Sequence, residues 1–193
     1  MTPFVLALLG ALVSADTAAP VLVRLYTARG TITLAVDSAR APRTAANFLR
    51  YVDSGAYDAG RFYRVVTPEN QPQSPVRIEV IQGGIDPARA ITWEPIPLER
   101  TSVTGLRHRD GTLSMARGGP DTAMSEFFIC IGDQPELDAG GRRNPDGQGF
   151  AAFGRVVQGM DVVRAIQRLP EAGQRLRTPV TIDSARRVAG GGR

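Results

Sequence analysis

Apolar and polar residues alternate from Val21 onward, and the period of that alternation divides the chain into elements. In VLVRLYTA (21–28) Val21, Val23 and Leu25 alternate with their neighbours, and Ile32, Leu34 and Val36 do the same in TITLAVD (31–37). Arg29-Gly30 makes a tight turn between them, so the pair predicts a β-hairpin. The period then lengthens. In APRTAANFLRYVDSG, Ala45, Phe48, Leu49 and Val52 form one helical stripe, with Pro42 suited to the first turn and Gly55 to the C-terminal cap.

Next comes RFYRVV (61–66), rich in strand formers. Strict alternation puts Phe62, Arg64 and Val66 on one face and Tyr63 and Val65 on the other. The loop TPENQPQSP, with three prolines, leads into RIEVIQGG (77–84), whose one face carries Ile78, Val80 and Gln82. Further strands are expected at 97–99, 112–117, 126–132 and 150–156. The segment PELDAGGRRNPDGQG, before the last of these, reads as a long turn-rich loop of the functional kind. GMDVVRAIQRL predicts a second helix stopped by Pro170, and VTIDSARRV a final strand. Many short strands with two helices indicate a mainly β protein. One antiparallel sheet curled into a barrel removes its own edges.

The N-terminus follows a different pattern. FVLALLGALV (4–13) is apolar but too short to span a bilayer as a helix. Val13-Ser14-Ala15 then offers the small-x-small signature of a signal-peptidase site. The expected organisation is a signal peptide at 1–15, a linker at 16–20, one domain at 21–188 and a loose tail at 189–193. The expected protein is exported, periplasmic or secreted, with no membrane span after cleavage, and monomeric.

Composition narrows the function. The formal charge is +4 and the sequence contains 23 basic residues, all of them arginine. They are scattered, with no run longer than Arg142-Arg143 or Arg186-Arg187. A nucleic-acid footprint of clustered charge with interleaved aromatics is missing. A single histidine, His108, and a single cysteine, Cys130, cannot assemble a His- or Cys-based metal cluster or an internal disulfide. A Ser-His-Asp triad would have to use His108, yet no G-x-S-x-G elbow occurs, and His108 reads as structural. No phosphate-cradling loop ends in lysine. A carboxylate pair such as Glu126 with Glu79 has no fixed spacing. What remains is a set of polar groups inside apolar strands: Arg64, Gln82 and Glu126. They fit a groove with an apolar floor and a few hydrogen-bonding arms.

These residues carry a resemblance. GTITLAVDSARAPRTAANFLRYVDSGAYDAGRFYRVV, IQGG, DGTLSMARGGPDTAMSEFFICIG and GFAAFGRVVQGMDVV occur in the order of the cyclophilin-type peptidyl-prolyl cis-trans isomerases, which this chain resembles from about Val21 to Val188. The resemblance implies a closed eight-stranded antiparallel β-barrel capped by two α-helices. It implies proline-containing polypeptides as partners, no cofactor and no metal. Arg64 falls on the family's catalytic arginine and Gln82 on its glutamine. Phe128 falls on the floor of the proline pocket, with Leu137 and Phe150 on the walls. Ile78 or Val80 replaces a wall residue, and Ala116 falls where the backbone pairs with peptide. Some positions depart from the family pattern. Tyr63 stands for a histidine, Glu79 for a pocket phenylalanine and Glu136 for a tryptophan. Glu126 stands for a glutamine that reads the peptide backbone, and the link from Arg64 to Gln82 is longer. The alternative function is a peptide-binding module or chaperone on the same fold with little turnover.

Overall fold

The computed structural model describes residues 19–89, 91 and 93–188. The expected signal peptide, most of the linker and the tail lie outside the described residues. Eight strands close into a barrel: β1 (Val21–Thr27), β2 (Gly30–Val36), β3 (Gly60–Val66), β4 (Val80–Gly84), β5 (Thr112–Met115), β6 (Phe127–Cys130), β7 (Ala151–Gln158) and β9 (Arg175–Arg187). Their spatial order is β1-β2-β7-β5-β6-β4-β3-β9, all pairings are antiparallel, and β9 returns to pair with β1. A two-residue strand, β8 (Glu171–Ala172), forms a hairpin with the start of β9. Closure leaves no strand of the barrel with a bare edge.

Two helices plug the ends. Helix α1 (Pro42–Asp53) turns Ala45, Phe48, Leu49 and Val52 inward, as the stripe predicts. Phe48 contacts Tyr57, Phe127 and Phe153 at centroid distances of 5.2–5.6 Å in tilted and edge-on arrangements. Burying such a ring stabilises the fold by about 2–3 kcal/mol, and each aromatic pair adds about 0.5–1.5 kcal/mol. The helix ends in a Schellman motif: Gly55 N–H donates to Val52 O and Ala56 N–H to Tyr51 O, with Gly55 at φ 66°. At its other end Glu99 serves as the cap. The Glu99 carboxylate accepts from the backbone N–H groups of Arg43 and Thr44 and from the Thr44 hydroxyl. It thereby satisfies donors that a helix start leaves orphaned and complements the helix dipole. Helix α3 (Met160–Gln167) buries Val163 and Ile166. A single helical turn, α2 (Thr101–Thr104), lies between β4 and β5.

Three expectations are corrected. Residues 97–99 form no strand; Leu98 N–H instead donates to the Asp121 side chain, and only Ile96 bridges to Ala123. The strand expected at 77–84 begins at Val80. Upstream, the Gln71 amide takes the place of a ladder partner: it accepts from Ile78 N–H and donates to the carbonyls of Ile78 and Thr67. The last strand starts at Arg175 rather than 180, because Gly173 (φ 57°) and Gln174 (φ 71°) make a two-residue turn that pairs β8 with it. Such a turn needs positive φ at both central residues.

Two apolar clusters result. The larger fills the barrel and packs under the helices. The smaller lies on the outer face of β3, β4 and β6 and comprises Val66, Ile78, Val80, Phe128, Cys130 and Leu137, with Ala116 and Phe150 against it.

Candidate active site

The smaller cluster floors a cavity of about 230 Å³ lined by Arg64, Ile78, Val80, Gln82, Ala116, Arg117, Phe128, Leu137, Arg143, Asn144 and Phe150. This volume is below that of most drug-sized ligand sites and suits one small side chain. Seven of the eight residues expected at the site, Arg64, Gln82, Val80, Ala116, Phe128, Leu137 and Phe150, line this one cavity. Glu126 does not line it.

Strand β3 brings Arg64 there by a route the alternation does not predict. Phe62 and Val65 both point into the barrel, whereas Val66 joins the outer cluster. The register of β3 against both β4 and β9 shifts between Phe62 and Arg64. A β-bulge thus sets two successive residues, Tyr63 and Arg64, on the outside. Tyr63, expected on the opposite face from Arg64, stands beside it.

The bulge creates a hydrogen-bond chain. Arg64 Nη1 donates to Gln82 Oε1 at 2.8 Å, Gln82 Nε2 to Tyr63 Oη at 2.8 Å, and Tyr63 Oη to Glu126 Oε2 at 2.5 Å. The polarity is consistent from end to end and fixes which way the Gln82 amide faces. Burial raises the Glu126 carboxyl above its ordinary range, while bonds from Tyr63 and Gln82 partly oppose that rise. Burial and then Glu126 push the Tyr63 phenol well up, so it remains a donor. Glu126 therefore organises Tyr63 and makes no ion pair with Arg64.

A residue that sequence reasoning missed completes the clamp. Gln174 Oε1 accepts from Arg64 Nε at 3.1 Å and from Nη2 at 2.5 Å, and its Nε2 donates to Asn70 O. Gln174 owes its aim to the left-handed turn before β9; the signal was the Gly-Gln pair between two short runs, a hairpin pattern. Three of the five N–H bonds of Arg64 are thus committed to Gln82 and Gln174, leaving two for a ligand. Burial and the neighbouring Arg143 guanidinium lower the Arg64 pKa, yet it stays charged.

The floor is equally held. Phe128 meets Phe150 edge-on at 5.2 Å and stacks on His108 at 6.0 Å and 16°. Arg117 lies over Phe150 at 5.2 Å and forms a two-pronged pair with Asp146. His108 is buried, with Nδ1 2.8 Å from Asp138 Oδ1 and Nε2 2.9 Å from Ser114 Oγ. The connectivity is that of a hydrolytic triad, but Ser114, the cross-strand partner of Phe128, has no solvent exposure. No substrate carbonyl can reach it, so these groups position the phenyl ring. Glu79 turns away to the Gln167 amide, leaving Ile78 and Val80 as that wall. Glu136 pairs with Arg142.

A closed barrel with an arginine and a glutamine beside an outer aromatic pocket defines a class. Residues 22–187 match the sequence model of the family described as cyclophilin type peptidyl-prolyl cis-trans isomerase/CLD, and the chain belongs to that family. It is 35% identical over 170 residues to peptidyl-prolyl cis-trans isomerase cyp18 of Streptomyces antibioticus, covering 85% of this chain and 96% of that protein. It is 38% identical over 151 residues to peptidyl-prolyl cis-trans isomerase A of Dickeya dadantii, covering 76% of this chain and 71% of the relative. In fold it is similar to a cyclophilin type peptidyl-prolyl cis-trans isomerase of Cryptosporidium parvum. That match has a TM-score of 0.71 at 22% identity, covering 89% of this chain and 99% of that one. The same parasite protein crystallised in the presence of the dipeptide Ala-Pro matches with a TM-score of 0.70.

Proposed function

We propose that this protein accelerates rotation about Xaa-Pro bonds of proline-containing polypeptides, with Arg64 stabilising the twisted imide and no covalent intermediate. Amide resonance sets a barrier of roughly 18–20 kcal/mol. Twisting breaks that resonance and returns a lone pair to the prolyl nitrogen. A guanidinium held in place donates to that nitrogen more strongly in the twisted state than in either planar state, which is the requirement for catalysis. Phe128, Val80, Leu137 and Phe150 grip the proline ring. Gln82 orients Arg64 and holds the neighbouring carbonyl, and the backbone at Ala116 pairs with the peptide. The observation carrying this reading is the clamp of Gln82 and Gln174, which holds Arg64 in the wall of the Phe128 pocket with two of its N–H bonds uncommitted.

The test is exchange between cis and trans isomers of an Ala-Pro peptide, followed by NMR. Each 1.36 kcal/mol of transition-state stabilisation is worth about tenfold in rate. Loss of a donor of this kind costs about 10²–10³ in kcat, and Arg64→Ala should fall by that amount with the pocket intact. Wild-type protein that binds the peptide without turnover would instead mark a peptide-binding module, and an unimpaired Arg64→Ala would remove Arg64 from the mechanism. The reading extends to export, supported by the apolar run 4–13 and the Val13-Ser14-Ala15 site, and to a monomer. A mature protein whose N-terminal residue is Met1 overturns the export, and a dimer by light scattering overturns the monomer.

A further inference from the structure

Charge around the cavity is distributed unevenly. Arg143, in the loop between β6 and β7, lines the cavity together with Arg64. Its Nη1 donates to Ser74 Oγ and to Val76 O, both at 2.6 Å, so neutral acceptors on the proline-rich loop hold it in place. Among the described residues, no carboxylate comes within ion-pair distance of Arg64 or Arg143. Arg117, which also lines the cavity, is neutralised by Asp146, and Arg142 just outside it by Glu136. Arg175, paired with Arg64 in the β3–β9 register, adds a further cation over the Tyr63 ring at 5.8 Å. The acids nearest the cleft are committed elsewhere. Glu126 binds Tyr63, Glu79 binds Gln167, and Asp138 binds His108.

Two half-buried guanidiniums therefore face one small cavity without a carboxylate within ion-pair distance, and burial, then the charge of Arg143, depresses the Arg64 pKa. Beside them Asn144 Nδ2 is buried without an acceptor. Cations converging on one cleft form an acceptor-hungry subsite, with the idle Asn144 amide behind its wall, and planar guanidiniums recognise carboxylates in two-pronged fashion. The cavity is too small for a polyanion. We infer that the cleft selects peptides in which an aspartate or glutamate adjoins the proline, with Arg143 as the specificity-determining cation. This rests on the isomerase reading only for placing a peptide in the cavity.

The experiment compares peptides carrying Glu, Gln or Lys immediately before the proline, immediately after it, or one residue further on. Binding is read by NMR titration and turnover by isomer exchange. The expected result is a Glu-over-Gln preference of about five- to tenfold at one of these positions, shrinking with added salt, and a penalty for Lys. Arg143→Gln should bring the Glu/Gln ratio to parity. Arg143→Lys, which keeps the charge but not the fork, should retain part of it, and the neighbouring Arg142→Gln should leave it unchanged. Because Arg143 also ties two loops together, the salt dependence in wild type and the lysine variant separate lost charge from lost folding. Wild-type binding that is equal for Glu and Gln at every position, or a preference that survives Arg143→Gln, overturns the inference. Turnover of the Gln peptides without such a preference refutes the subsite and spares the isomerase. Glu-selective binding without turnover refutes the isomerase and spares the subsite.

Discussion

The Tyr63 hydroxyl bridges two groups of the site, accepting from Gln82 and donating to Glu126 at 2.8 and 2.5 Å. Tyr63→Phe removes that junction and little else, since the ring still covers its neighbours. Glu126 loses a bond to its charged form; such bonds are worth about 1.5–3 kcal/mol, and the half-buried setting favours the lower end. A loss near 1.5 kcal/mol lowers Tm by about 3–6 °C in a domain of this size. The consequence for the reaction runs through Gln82. Without the hydroxyl its amide loses the acceptor on its Nε2 side, and the anchor it gives Arg64 through Oε1 is held less firmly. One neutral hydrogen bond is worth about 1 kcal/mol, or roughly fivefold in kcat/KM. Exchange spectroscopy on an Ala-Pro peptide, alongside a melting curve, measures both effects. Glu126→Gln is the companion variant, because it keeps an acceptor for Tyr63 and removes the buried charge. Burial raises the Glu126 carboxyl, so its ionisation opposes folding. Wild-type stability should decline as pH rises through the carboxylate range toward that raised value, and Glu126→Gln should lack this component. Tyr63→Phe with unaltered kcat/KM and Tm would refute the idea that this hydroxyl organises the site.

Other predictions concern separate parts of the molecule. Phe128→Ala empties the pocket floor above His108; it should cost about 3–5 kcal/mol of stability by denaturant titration, and raise KM for proline peptides by kinetic assay. Glu99→Ala removes the distant cap of α1 and should cost about 0.5–2 kcal/mol, seen as a lower urea midpoint with an unchanged slope. Arg117 holds the Asp146 carboxyl down at about 2. The stabilisation this gives is present above the ordinary aspartate pKa and lost as pH falls toward 2, so amides around Gly149 should lose hydrogen-exchange protection there. Ser114, despite its bond to His108, should resist phosphonylating serine reagents in the native protein, by mass spectrometry of the intact chain; rapid labelling would show that Phe128 does not seal it.

The order of strands and helices was legible because it depends on local periodicity. The α1 stripe, the Gly55 cap and the hairpin of β1 with β2 each rest on a few adjacent residues. Gln82 and Val80 on one face of β4 were legible by the same token. Tyr63 was not. Alternation assumes an unbroken pleat, and the bulge in β3 depends on its pairing with two other strands. Gln174 lies far from Arg64 in the chain and meets it only through the turn into β9. The Glu99 cap and the Gln71 splint are likewise long-range side-chain bonds that replace backbone partners, and polarity alone does not reveal them. The family resemblance supplied Arg64, Gln82 and Phe128 as a set, because aligned motifs carry tertiary information that a single pattern lacks.

The surplus residue in β3 has an effect beyond the site itself. Because the outside of the barrel absorbs it, Phe62 and Val65 remain in step with the interior. Sequence change at Tyr63, Arg64 and their companions can therefore retune the chemistry without disturbing the packing behind it. The wall works as a partition, with one surface answerable to folding and the other to substrates.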